Sequence, residues 1–367
     1  MERVYWWSAN GGCDQTIDRL IGIVADRVTT GVRQMCCRVA VSQQGFAKAS
    51  EHLKNLAQIS ISHERLRVIV ESEGRQVMKV QSAGLLEPGF SVVDDCKVSP
   101  DGPSRVYAGV DGVKVPMVTA GEKLKRRKGR GRRKKRCISV GRMHRGADNA
   151  YKEFKIATIY DQLNEHRHVI ATSGNHEVLG RLVRRQAARL GVGKADQKIA
   201  IVDGAEWIAK QLNSKLPMLD AVVLDFYHLS EHVWLAAHKC FGQGSDRAKE
   251  FVAAILHIAR HQGAGSLLAA VQLERKKYRT AGKRKALDEL IGYVGHRASM
   301  CDYPTYEENG WQIGSGPTEA MCKVLTYRLK GSGMRWDRHG ADAMMALVAL
   351  QQSNMWKSYW DGQKHAA

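Results

Sequence analysis

Apolar residues recur at helical spacing over 14–36, where Ile17, Leu20, Ile21, Val24 and Val28 share one face. A second helical pattern covers 44–57, with Phe46, Leu53 and Leu56 inward. After Ile59-Ser60-Ile61, Ser62 is a candidate cap for a third helix carrying Leu66, Ile69 and Val70, which Gly74 would close. Two helices joined by a tight turn, with basic residues in the second, have the outline of a helix-turn-helix. Any helical hairpin shares that outline, so DNA contact here is one of two readings. Residues 77–103 are mixed, and Pro88, Gly89, Gly102 and Pro103 mark a linker or domain edge.

From Val106 the period changes to that of strands. Strands are predicted around Tyr107–Val115, at 153–160, at 167–172, ending at Asp203, and at Ala221–Leu224. Helices are predicted at 176–190, with Gly191 as the stop, and at 205–215. From Asp225 to about Met300 the pattern is helical throughout, with breaks near Gly242, Gly263 and Gly282. The last helices fall at about 317–330 and 340–356. Three strands, a helix, a strand, a helix, a strand and then helices is the order of a ribonuclease H-like core. The expected class is therefore α+β (mixed α/β), with an all-helical insertion and an N-terminal helical domain. The boundaries read as 1–103, 104–227, 228–310 and 311–367, the second and fourth segments making up the core.

Charge adds a partner. The 367 residues hold 57 Lys and Arg against 37 Asp and Glu, a net charge of +20. That excess favours a polyanion, most often nucleic acid, over a membrane surface. Residues 123–136 are almost uninterrupted Lys and Arg with glycines between, which reads as a basic loop. Hydrophobic residues make up 44%, enough for a sizeable core. The eight cysteines form no C-x-x-C pair, so a zinc ribbon has no support, and their scatter suits reduced thiols. No apolar run approaches a membrane span and no signal peptide is legible, so the expected location is cytoplasmic.

The candidate chemistry lies in three acids. Val-Asp-Gly recurs at 110–112 and 202–204, each time at the end of an apolar run, and Glu319 follows Pro317 at a helix start. Each has a plainer reading: Asp111 as a hairpin turn residue, Asp203 as a helix N-cap, Glu319 as an acid complementing a helix dipole. Together, two strand-borne aspartates and a helix-borne glutamate can hold a pair of divalent cations of the Mg²⁺ type. Asp111 would bridge the ions, with Asp203 and Glu319 completing them. Asp225 and His228, with His232 one turn on, have ligand types for zinc; the alternative is an Asp225–His228 hydrogen bond fixing the strand-to-insertion junction.

These motifs resemble DDE insertion-sequence transposases of the Kra group. The resemblance rests on V-D-G at 110–112, V-D-G-A-E-W-I at 202–208, L-D-F-Y-H-L-S-E-H at 224–232, D-Y-P-T-Y at 302–306, I-G-S-G-P-T-E-A-M-C-K at 313–323 and R-L-K-G-S-G-M-R-W at 328–336. It covers the chain from about 105 onward. It implies Asp111, Asp203 and Glu319 as catalytic and metal-binding acids, with two Mg²⁺ ions per site and Mn²⁺ as a substitute. It makes Asp225 and His228 the D-x-x-H signature opening the insertion, and not catalytic. It implies a ribonuclease H-like core, cleavage and strand transfer at transposon terminal inverted repeats and target DNA, and a homodimer or higher assembly on double-stranded DNA. The expected DNA contacts are Lys125, Arg126, Arg127, Lys128, Arg130, Arg132, Arg133, Lys134, Lys135 and Arg136 in the loop, with Lys323, Arg328, Lys330 and Arg335 in the C-terminal motifs. Two features depart from the family: Cys13 stands where relatives carry a cysteine-rich segment, and the basic loop is longer. The alternatives are a nuclease or resolvase without strand transfer, and an inactive truncated relative that only binds DNA. The basic cluster Lys276, Lys277, Arg279, Lys283 and Arg284 adds an expected DNA contact in the insertion, where Trp234 is either core or a stacking platform.

Overall fold

The structure, a computed structural model, describes residues 6–8, 12–14, 28–119, 121, 124, 152–331 and 334–365. The basic loop residues Lys125 to Arg136 lie outside the described residues, as do most of the positions on the first expected helical face. Among the described residues no helix is long and apolar enough to cross a membrane.

Two short strands, β1 (Trp6–Ser8) and β2 (Gly12–Asp14), pair antiparallel. Helix α1 (Thr30–Ser42) begins where Thr29 accepts the Val32 N–H. Helix α2 (Phe46–Ala57) buries Ala49 and Leu53, and α3 (His63–Ala83) starts at Ser62, which accepts from Arg65 as its cap chemistry requires. Two expectations fail here for identifiable reasons. Leu56 is 80% exposed, because the buried stripe of α2 steps by four from Ala49 to Leu53 and the helix ends at Ala57. Gly74 does not close α3, which runs on to Gly84 at φ 72. A Cβ at Gly74 would run into the Ala343 carbonyl, so the glycine serves close helix approach.

A five-stranded sheet follows in the order β5-β4-β3-β6-β7. Its strands are β3 (Arg105–Val115), β4 (Lys152–Asp161), β5 (Arg167–Thr172), β6 (Gln197–Val202) and β7 (Ala221–Leu224). β4 pairs antiparallel with β3 and β5, whereas β6 pairs parallel with β3 and β7. Strand β3 passes straight through Asp111-Gly112, opposite Ile156 and Lys155, which removes the hairpin-turn reading. Helix α4 (His176–Leu190), capped by Asn175 and stopped by Gly191 at φ 76, packs Leu179, Val183 and Ala187 onto one face, with Ala157, Ile159 and Ile170 beneath. Helix α5 (Glu206–Lys215) joins β6 to β7.

The helical block holds α6 (Phe226–Phe241), α7 (Asp246–Lys276) and α8 (Ala281–Gly295), then the short α9 (Tyr303–Glu308). Gly242 ends α6 at φ 91 and Gly263 breaks α7 at φ 77, as expected; the third break falls at 277–280, one turn ahead of Gly282. Trp234 is half-buried against this core, with His238 5.3 Å away.

The chain closes with α10 (Gly316–Lys330), α11 (Arg338–Gln352) and α12 (Trp356–His365). Asn354 at φ 54 breaks the helix expected to run to 356. Met321, Leu325, Met344 and Leu347 share a core with Phe154, Ile156 and Val169 on the second sheet face, and with Leu53, Leu66 and Ile69 of the N-terminal helices. The N-terminal and C-terminal helices therefore pack as one body.

Candidate metal centre

Strand register builds the site. Val110 pairs with Val202, and Val202 with Leu224, so the next residues, Asp111 within β3 and Asp203 and Asp225 just past the ends of β6 and β7, stand in a row across three adjacent parallel strands. Neighbouring strands lie about 4.8 Å apart, which brings like charges together. Asp111 accepts from its own successor, Gly112 N–H, at 2.6 Å. Asp203 accepts from Ala205 N–H at 2.9 Å across the Gly204 turn, at φ 83. That is a local turn bond; the residue at the cap position of α5 is Ala205. Burial raises the Asp203 pKa above the usual carboxylate range; the Ala205 N–H pulls it back and the Asp111 charge adds to the rise.

The third acid arrives through close packing of α10 on the sheet. Gly109 stands opposite Thr158 in register, on the same sheet face as Asp111. A Cβ at Gly109 would overlap the Thr318 hydroxyl, which instead bonds Thr158 Oγ1 at 2.7 Å. With Thr318 pinned, Glu319 and Cys322 of the same helix reach the strand ends. The Cys322 thiol is raised above its usual pKa, by burial first and then by Asp111 and Glu319. The sulfur therefore keeps its proton beside these two acids. Cys322 was not singled out in the sequence; its place three residues after Glu319 on a helix start was the available signal.

Asp225 is fully buried and caps α6, accepting from Tyr227 N–H at 2.7 Å. Its other oxygen accepts from Ser315 N–H at 3.0 Å and from the Ser315 hydroxyl. The expected Asp225–His228 hydrogen bond does not form: His228 Nδ1 pairs with Glu231 at 3.2 Å. The ligand atoms of Asp225, His228 and Glu319 nevertheless lie within 4.8 Å of one another. The zinc set with His232 is not assembled, because that ring stacks on Tyr293 at 3.6 Å and the third member beside Asp225 and His228 is Glu319.

The insertion also grips the second acid. Arg297 Nε donates to Gly204 O at 2.7 Å and its guanidinium lies 4.2 Å from the Tyr293 ring centre. Tyr293 Oη donates to Asp203 O at 3.3 Å. The donor set as a whole is oxygen-rich with one imidazole at its edge. Asp203 and Asp111 repel each other there, and a bound divalent cation relieves that repulsion. The residues fit a hard cation of the Mg²⁺ or Mn²⁺ kind.

Among the residues expected to contact DNA, Lys323, Lys330 and Arg335 are exposed. Arg328 is not: it is 1% exposed, donates from Nε to Ala40 O at 2.8 Å and from Nη1 to Gln44 O at 3.3 Å, and lies over the Phe46 and Trp336 rings. Burial lowers its pKa to about 10. Arg328 ties α10 to the end of α1, and no phosphate can reach it. In the insertion, Arg275 pairs with Asp288, Lys277 pairs with Glu274, and Arg284 Nε donates to Tyr278 O.

No protein-family model matches the chain, and no curated protein matches it. A search of solved structures aligns it with the Drosophila P element transposase strand transfer complex at 9% identity and a TM-score of 0.30, over 94% of this chain and 83% of that chain. A TM-score that low does not establish a shared fold.

Proposed function

We propose that this chain is an insertion-sequence transposase that cleaves DNA strands at transposon ends and joins them to target DNA on a ribonuclease H-like core. The supporting observation is that Asp111 and Asp203 follow paired positions on the adjacent parallel strands β3 and β6, while Glu319 stands in the first turn of α10, the helix packed on β3 through Gly109. In this reading Asp111, Asp203 and Glu319 would together hold two Mg²⁺ ions. Bound there, such a pair activates the attacking oxygen and stabilises the leaving one, for water in cleavage and a 3′-hydroxyl in strand transfer.

The chain's own groups orient these ligands. The Gly112 N–H holds Asp111, and the Ala205 N–H holds Asp203. Exposed Lys323, Lys330 and Arg335 contact backbone phosphates. The basic segment 123–136 joins them: its flanking strands meet at Val115 and Lys152, on the end of the sheet that carries the acids. Lys276, Arg279 and their neighbours in the insertion serve the same polyanion. Terminal inverted repeats and target DNA are the substrates, held by at least two copies of the chain.

The test is a strand-transfer assay with pre-cleaved ends in Mg²⁺ or Mn²⁺. Joined products that vanish in Asp111→Ala, Asp203→Ala and Glu319→Ala support the reading. Cleavage without joining would identify a nuclease, and full activity in any of the three variants would overturn the assignment.

A further inference from the structure

Building on the metal-centre reading, we infer that Asp225 and Ser315 are positioning residues that set where Glu319 stands. Asp225 is the last residue before the helical insertion, and Ser315 immediately precedes the helix to which the chain returns. Residues 313–315 are zipped onto the β7–α6 junction by several ties. Phe226 N–H donates to Ile313 O at 2.9 Å. The Tyr227 ring lies against Gly314, where a Cβ would come within 3.1 Å of a ring carbon. The Asp225 carboxylate takes both the Ser315 N–H and its hydroxyl.

Ser315 lies one helical turn before Glu319, so its place fixes the start of α10 and the height of Glu319 over the strand ends. Its Oγ also stands 3.2 Å from Glu319 Oε1. A hydroxyl has one hydrogen. Asp225 makes the shorter contact and so fixes Ser315, whose oxygen limits the rotamers open to Glu319. Asp225 itself has little capacity left for a cation. Its oxygens already accept from Tyr227 and twice from Ser315, and no part of it is exposed. Asp225 thus staples the two ends of the insertion together, and through Ser315 it transmits their position to Glu319.

The test is Mn²⁺ binding to the full-length protein by titration calorimetry, with melting temperature read alongside. Ser315→Ala should weaken Mn²⁺ binding about tenfold, and Ser315→Thr, which keeps the hydroxyl, should return it to within about threefold of the parent. Asp225→Asn should weaken it by about 10–100-fold. Parental affinity in Ser315→Ala, or a Thr variant as weak as the Ala one, overturns the inference. So does loss in Asp225→Asn as complete as in Glu319→Gln with Ser315→Ala unaffected, because Asp225 is then a ligand. If Asp225→Asn fails to fold, the Ser315 pair decides alone. Parental affinity in Glu319→Gln is a separate failure, that of the metal-centre reading itself.

Discussion

Asp203 and Asp225 end neighbouring parallel strands one residue past a paired position, and the fold treats them in opposite ways. Asp225 is surrounded by donors: two N–H groups and a hydroxyl reach it inside a fully buried shell. Among the described residues Asp203 receives one N–H, from Ala205, and its neighbour is another acid, Asp111. A buried carboxylate whose lone pairs are filled by the protein is part of the framework. One that is half-buried, short of donors and next to like charge gains from a cation beside it.

The largest expected effect lies on the donor-poor side. Asp111→Ala, Asp203→Ala and Glu319→Ala should each lower cleavage by about a thousandfold or more while the melting temperature stays near that of the parent, because each removes a ligand and no core packing. A gel-based cleavage assay with parallel thermal melts checks this; an equally inactive but unfolded variant would erase the distinction between the two acids. On the donor-rich side, Asp225→Ala should cost about 3 kcal/mol in chemical denaturation, since it leaves the Ser315 and Tyr227 N–H groups without a buried acceptor.

The two kinds of basic residue sharpen the same contrast. Arg328→Ala should cost about 2–4 kcal/mol of stability, because the Ala40 carbonyl loses its donor and two rings lose their cation, while the salt dependence of DNA binding stays unchanged. Replacing Lys323, Lys330 and Arg335 together by Ala should leave stability alone and reduce the slope of log K against log salt by about 0.9 for each phosphate that is no longer neutralised. A fluorescence anisotropy titration across salt concentrations separates the two, and an unchanged slope in the triple variant would leave those residues as ordinary solvated charges.

The smallest effect is a change of sign. Because the Asp203 pKa is raised in the fold, ionising it costs stability. In metal-free protein that penalty is absent below the ordinary aspartate pKa, grows as pH climbs toward the raised one, and is fully present above it. Asp203→Asn should therefore raise the metal-free melting temperature at neutral pH by about 2 °C and lose that gain in acid. Added Mn²⁺ should stabilise the parent and leave the variant unmoved. A variant less stable than the parent at neutral pH would show that the ionised Asp203 carboxylate contributes to the fold.

Local signals were legible where the chain itself supplies the partner. Ser62, Asn175 and Gly191 cap their helices as their residue types require, and Arg167–Thr172 and Ala221–Leu224 are strands at the expected limits. Asp111 and Asp203 could be nominated because each ends an apolar run, and Glu319 because it follows Pro317 at a helix start. Gly74, Asp225 and Arg328 were misread for one shared reason. Each has a plausible local role, as a stop, a partner of His228 and a phosphate contact. Each is in fact answered by a residue far away in sequence: the Ala343 carbonyl, Ser315 and Ala40.

The sequence by itself determined the periods, the caps, the excess of positive charge and the residue types able to bind a hard cation, since these depend on neighbours within a few positions. The tertiary structure alone decided which acids become neighbours. Parallel pairing sets Asp111, Asp203 and Asp225 in one row, and the bare Cα of Gly109 lets α10 press close to the sheet, with Glu319 beside Asp225 and His228. It also decided which of those acids is saturated with hydrogen bonds. Donors such as the Ser315 hydroxyl come from 90 residues away, and only the packed backbone brings them within reach.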